Sequence, residues 1–214
     1  MAEAGTLHDA FVHELRDTYD AEQQLTRALS TLASAARSAD LRSAFEEHLE
    51  ETRGHIERLE AILESMDEAV KGKHCEGMAG IIEEGKANLN EDFDEATMDA
   101  ILIAAGQRAE HYEIAAYNTL IAWARAMGHI EAADLLRETL REERAAEERL
   151  SAIAEGGINQ EAADGVDAPG DEDTEDADDE VEIEAVEKDS GGSSGLGRSA
   201  SGAKASSSKK AALR

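Results

Sequence analysis

Proline is nearly missing from this sequence, with one residue in 214, and aromatic side chains make up only 3% of it. The first scarcity removes most built-in helix breakers, and the second leaves little of the material that β-sheets favour. Cysteine occurs once, at Cys75, so no intrachain disulfide can form, which fits a reducing cytoplasm. No run of about 18 apolar residues occurs, which argues against a membrane-spanning helix. The opening "MAEAGTLHDAF" lacks the basic-then-apolar pattern of a secretion signal. Basic residues are few, with 21 Lys and Arg against 49 Asp and Glu, and the formal charge is −28. A chain this acidic is not expected to bind nucleic acid or an anionic membrane by electrostatics. Within residues 1–155 only 3 of the 15 basic residues are Lys. High acid with little lysine fits a halophilic protein, kept soluble by charge where salt screens self-repulsion.

What remains is rich in Ala, Leu, Glu and Arg, and it reads as helix. A first helix is expected over about Thr6–Arg37, with Leu7, Phe11, Leu15, Leu25, Leu29 and Leu32 as its apolar stripe. Asp40 suits the N-cap of a second, which runs to about Met66 through Leu41, Phe45, Leu49, Ile56, Leu59 and Leu63. "KGKHCEG" breaks the pattern, and a shorter helix near Met78–Leu89 follows. Asp94 caps the third long helix, Gly128 ends it at Met127, and the fourth runs to about Ala154. Connections of two to four residues make each pair a hairpin, and a long crossover with its own short helix joins the pairs. The expected fold is all-α: a ferritin-like antiparallel four-helix bundle over residues 1–155. Residues 156–214 hold an acidic run and then a Ser/Gly/Ala-rich stretch, and are expected to form a disordered tail.

Several carboxylates fall inside the apolar stripes. At about 100° per residue, Glu22 aligns with Leu15, Leu25 and Leu29, and Glu113 lies in the stripe of Ala109, Ala116 and Leu120. Glu143 sits between Leu136 and Leu150, with Glu147 one turn further on. His48, Thr52 and His55 fall in or beside the stripe of the second helix, with Glu51 on its flank. Glu113 and Glu143 are each 15 residues from Gly128, so a hairpin brings them to one level. Glu22 and His55 lie 16 to 17 residues either side of the turn near Ser38 and Ala39. Ionised carboxylates converging in an apolar core repel one another and are costly to desolvate. Four of them with a histidine are best explained by bound cations, and hard oxygen plus imidazole suits iron or manganese. His48 reads as a core or hydrogen-bonding histidine, Glu110 as a boundary residue off the stripe, and His111 as exposed. Tyr19 and Tyr112 read as aromatics flanking the site. The alternative is a fold whose stripe carboxylates are protonated, paired with Arg108 or Arg144, or hold a structural ion.

The segments "DTYDAEQQLTRALSTLA", "AFEEHLEETRGHIERLE", "GIIEEG", "DAILIAAGQRAEHYEIAAYNTLIAWARAMG" and "AADLLRETLREERAAEERLSAIA" closely resemble the YciE/YciF family of ferritin-like stress proteins. The resemblance covers roughly residues 6–155. It implies a homodimeric ferritin-like bundle related to rubrerythrins and bacterioferritins, linked to oxidative or osmotic stress. It also implies ferroxidase activity or manganese-dependent consumption of peroxide, with oxygen or hydrogen peroxide as substrate and two iron ions, or manganese, as cofactor. In the general di-iron pattern one Glu stands on each of two helices and a Glu-x-x-His on each of the others. Glu22 and Glu113 match the single positions. Glu51 with His55 and Glu143 with Glu147 occupy the paired ones, but at i,i+4 spacing and with Glu in place of the second His. Arg53 stands where a pairing with Glu50 needs an imidazole. The metal ligands expected on this basis are Glu22, Glu51, His55, Glu113, Glu143 and Glu147.

Overall fold

The computed structural model describes residues 5–165, and its regular elements are all helices. The Thr6 hydroxyl accepts from the Asp9 N–H while the Asp9 carboxylate accepts from the Thr6 N–H at 2.7 Å, and this capping box starts α1 (Leu7–Ala35). Ser38, and not the expected Asp40, caps α2 (Ala39–Ser65), accepting from the Leu41 N–H at 3.4 Å. Asp40 lies in the first turn instead, where its charge faces the positive end of the helix dipole. The crossover, residues 66–94, carries α3 (Glu76–Asn88) with Cys75 at its N-cap. Asp94 caps α4 (Glu95–Met127) as expected, accepting from the Ala96 and Thr97 N–H groups at 3.0 and 2.9 Å. Gly128 ends that helix in the left-handed region at φ 82°, a conformation glycine adopts without strain.

After α5 (Ile130–Ile153) the chain continues past the point where the apolar pattern fades, kinks at Gly157 with φ 150°, and forms a short helix, α6 (Asn159–Asp164), with Ile158 packed against the core. The remainder of the expected tail, residues 166–214, lies outside the described residues. Among the described residues no helix is long and apolar enough to cross a membrane.

Helices α1, α2, α4 and α5 form the antiparallel four-helix bundle, with α1 against α2 and α4, and α5 against α2 and α4. Its core has two apolar clusters. One holds Leu25, Leu29, Leu41, Phe45, Leu102 and Leu150. The other holds Phe11, Leu15, Leu59, Leu63, Tyr117, Leu120 and Leu136. Glu22, His48, Thr52, His55, Glu113 and Glu143, all buried, come from the stretches of helix that connect them. The bundle thus has a polar layer at mid-height between two apolar ends.

One buried acid has a purely architectural role. Asp99, in the second turn of α4, accepts from the Arg37 and Ser38 N–H groups at 2.9 and 2.8 Å. It therefore fixes the α1–α2 turn to the start of α4. Asp99→Ala strands two backbone donors, so urea unfolding is expected to show a loss of about 1–3 kcal/mol. An unchanged midpoint would show that water replaces the carboxylate at no cost.

Candidate metal centre

Six side chains converge at the centre of the bundle: Glu22 from α1, His48 and His55 from α2, Glu110 and Glu113 from α4, and Glu143 from α5. All are buried. They form two groups, each with its donor atoms within 4.8 Å of one another. His48, Glu110, Glu113 and Glu143 make one, and Glu22, His55 and Glu143 the other. Glu143 belongs to both. Its Oε2 lies 3.6 Å from His48 Nε2, and its Oε1 lies 2.9 Å from His55 Nδ1.

The donor set could hold metal ions. Glu22 Oε2, His48 Nε2, His55 Nδ1, Glu110 Oε2 and both oxygens of Glu113 and of Glu143 are buried without an aligned hydrogen-bond partner. His55 Nδ1 and Glu143 Oε1 are close but badly aligned for a hydrogen bond. Ligands about 2.0–2.2 Å from a common ion stand roughly 3–4 Å apart, and the histidine–carboxylate distances inside the cluster run from 2.9 to 3.6 Å. The inventory of four carboxylates and two imidazoles equals that of the helix-bundle di-iron sites. Its distribution differs: both histidines lie on α2 two turns apart, and α4 contributes two carboxylates one turn apart.

Electrostatics express the same crowding. Burial, followed by the carboxylates of Glu22, Glu143 and Glu110, raises Glu113 well above the usual carboxylate range. Burial and Glu110 push Glu143 up to about 8 against the pull of His55. Burial opposes a charge on His55, but Glu22, Glu142 and Glu143 outweigh it and push the imidazole up to about 12. His48 is likewise held high against burial by Glu110, Glu51 and Glu143.

Each imidazole is oriented by a carboxylate outside the cluster. His48 Nδ1 donates to Glu51 at 3.2 Å, and His55 Nε2 donates to Glu142 at 3.0 Å. Arg58 grips Glu142 with both terminal nitrogens, at 2.9 Å for one of them. His55 and Arg58 hold Glu142 at about 2 despite its partial burial. The Tyr117 hydroxyl, fully buried, donates to Glu22 Oε1 and keeps the other oxygen turned to the cluster. Such outer partners commonly govern metal affinity by 10–100-fold. Glu142→Gln is expected to weaken binding by about that factor in a competing-chelator titration, with helical content unchanged. Wild-type affinity in that variant would show that His55 needs no orienting carboxylate.

Four of the six expected ligands, Glu22, His55, Glu113 and Glu143, are in the cluster. Glu51 and Glu147 are not. The Glu51 side chain is 40% exposed and acts behind His48. Glu147 accepts from Ser151 at 2.9 Å on the rim of α5. His48 and Glu110, expected to be a core histidine and a boundary residue, are cluster members instead. The physical reason is the width of the buried face of α4, which packs against α1, α3 and α5 at once. That arc takes in Glu110 as well as Glu113. Tyr19 and Tyr112 do not flank the site: Tyr19 donates to Glu60, and the Tyr112 hydroxyl lies 3.0 Å from Cys75 Sγ. The roles of Tyr117, Arg58 and Glu142 were missed, and the Arg58–Glu142 pair, 84 positions apart, carries no local sequence signal. His111 is exposed as expected.

A family model described as a domain of unknown function, DUF892, matches residues 6–163. The chain belongs to the DUF892 family. It is 46% identical over 158 residues to the protein YciF of Escherichia coli (strain K12), covering 73% of this chain and 95% of that one. The crystal structure of the E. coli stress protein YciF matches with a TM-score of 0.70 at 45% identity, over 73% of this chain and 99% of that chain. YcfI from Rhodopseudomonas palustris matches with a TM-score of 0.68 at 39% identity, over 70% and 96%. The resemblance to YciF-type proteins read from the sequence is thereby borne out.

Proposed function

We propose that this member of the DUF892 family is a ferritin-like dinuclear carboxylate protein. In this reading it binds two iron ions, or two manganese ions in their place, and consumes oxygen or hydrogen peroxide. One observation carries the reading: four buried carboxylates and two buried imidazoles converge from four helices, with more acids than the two histidines can pair and both oxygens of Glu113 without a hydrogen bond. When bound, the metals supply a redox couple that carbon-based side chains lack. Glu143 has an oxygen for each position, and Glu22, Glu110 and Glu113 offset cationic charge. His48 and His55 present one ring nitrogen each and are locked by Glu51 and Glu142 behind them. The protein acts in the cytoplasm as a homodimer on this reading.

The test is metal analysis of protein purified without chelator, followed by anaerobic loading with iron or manganese. Two ions per chain are expected. Exposure to oxygen or peroxide should then produce ferric absorbance from the iron form or catalytic peroxide loss from the manganese form. Absence of bound metal under every loading condition would refute the proposal.

A second reading is a non-catalytic dimeric bundle, and the high-lying histidines favour it. His48 and His55 charged beside Glu110 and Glu143 would neutralise part of the cluster without metal. The version with arginine partners has no support, because Arg108 pairs with Glu84 and Arg144 with Asn118. Metal content separates the two readings directly.

A further inference from the structure

The seam between α2 and α5 is closed at one level and open at the next. Beside His55, Arg58, Thr139 and Glu142 fill it, with Arg58 bonded to both others. One to two turns away a crevice of about 20 Å³ opens, lined by Ala44, Ala145 and Ala146 and by Glu51, His48 and Glu110. Three one-carbon side chains leave a gap between the larger Phe45, Leu150 and Arg149, which also line it, and Arg149 carries its charge to Glu47 rather than standing unpaired in the crevice. A space this size holds about one water. His48 and Glu110 at its floor are buried, and Glu110 Oε2 is among the unpartnered donors. Glu51, at its mouth, is 40% exposed and bonded to His48.

We propose that this alanine-walled crevice is the route by which a divalent cation reaches the core, with Glu51 receiving the ion and Glu110 and His48 taking it over. The proposal rests on the dinuclear reading. It makes the position of His48, Glu110 and Glu113 the one loaded from solvent and exchanged first. The position of Glu22 and His55, behind the Arg58–Glu142 clamp, fills through it. A carboxylate at the mouth attracts the cation and replaces part of its water shell before the narrow passage. The alanines keep the passage open at no cost to the helices that carry them.

The experiment is stopped-flow uptake of Co²⁺ by the metal-free full chain, followed by absorbance, with final stoichiometry measured by equilibrium titration. Ala145 is exposed on α5, so Ala145→Leu blocks the mouth without touching the cluster. It is expected to slow uptake by about tenfold or more with unchanged stoichiometry. Glu51→Gln should slow uptake severalfold and weaken its dependence on salt. Ala115→Leu, on the exposed face of α4, should load at the wild-type rate. The route is overturned if Ala145→Leu loads like wild type, if Ala115→Leu slows uptake equally, or if Ala145→Leu lowers the stoichiometry. In those cases a wild type that still binds two ions leaves the dinuclear reading standing. A wild type that binds no Co²⁺ overturns both.

Discussion

Glu143→Gln is expected to abolish binding at both metal positions in a single substitution. Glu143 is the one side chain common to the two groups, with one oxygen toward His48 and the other toward His55. Glutamine keeps the shape but offers a single neutral oxygen, and its amide nitrogen repels a cation. Metal analysis after loading should fall from two ions per chain to none, and turnover with peroxide or oxygen should fall with it. Glu22→Gln and Glu110→Gln each remove a ligand from one group only, so each should leave one ion bound. Glu113→Gln should likewise lose the ion of its own group while keeping the fold, because burial and three neighbouring carboxylates already favour a neutral group there. Equal losses at Glu22, Glu110 and Glu143 would sink the bridging role. Full metal content in Glu143→Gln would sink the centre itself.

The Glu110 outcome reverses what the sequence alone suggests. A helical wheel places residue 110 about 60° from residue 113, outside a narrow stripe. The wheel is blind to how many neighbours a helix has. Helix α4 packs on three sides, so residues on both flanks of its stripe are buried. The bundle itself was legible because its signals are local: stripe periodicity, the cap Asp94, and Gly128 at the tight turn. Glu22, Glu113, Glu143 and His55 were legible because equal distances from two turns place them at one level. Glu51 and Glu147, expected from an i,i+4 pairing, lie outside the buried cluster, to which α2 brings histidines at i,i+7 and α4 carboxylates at i,i+3. The Arg58–Glu142 clamp joins residues 84 positions apart, and no local pattern encodes such a partnership.

Without metal, the protein is expected to be most stable at about pH 5 and to weaken steadily toward pH 8. The groups packed around the cluster are Glu22 from α1, His48, Glu51, His55 and Arg58 from α2, Glu110, Glu113 and Tyr117 from α4, and Glu142 and Glu143 from α5. Glu143, raised from 4.5 to about 8, holds a proton in the folded state that the unfolded chain has lost, so stability falls across that window. Glu113 shifts the same way. His55, raised from 6.5 to about 12, contributes fully below 6.5 and less at every higher pH, and His48 follows it. Glu142 works on the other side: held at about 2, its contribution is present above 4.5 and disappears in stronger acid. These groups therefore place the optimum in mild acid, and the fall to pH 8 should be on the order of a few kcal/mol. Denaturant unfolding of chelator-treated protein at a series of pH values measures it. Added Mn²⁺ should reverse the slope, since a metal binds only deprotonated ligands and binds them more tightly as pH rises. Glu143→Gln should lessen the metal-free slope, leaving the share of Glu113 and the histidines, and remove the manganese response. A metal-free midpoint that stays level from pH 5 to 8 would show that the buried acids and histidines do not hold the protons assigned to them, and a manganese response that survives Glu143→Gln would place the ion elsewhere.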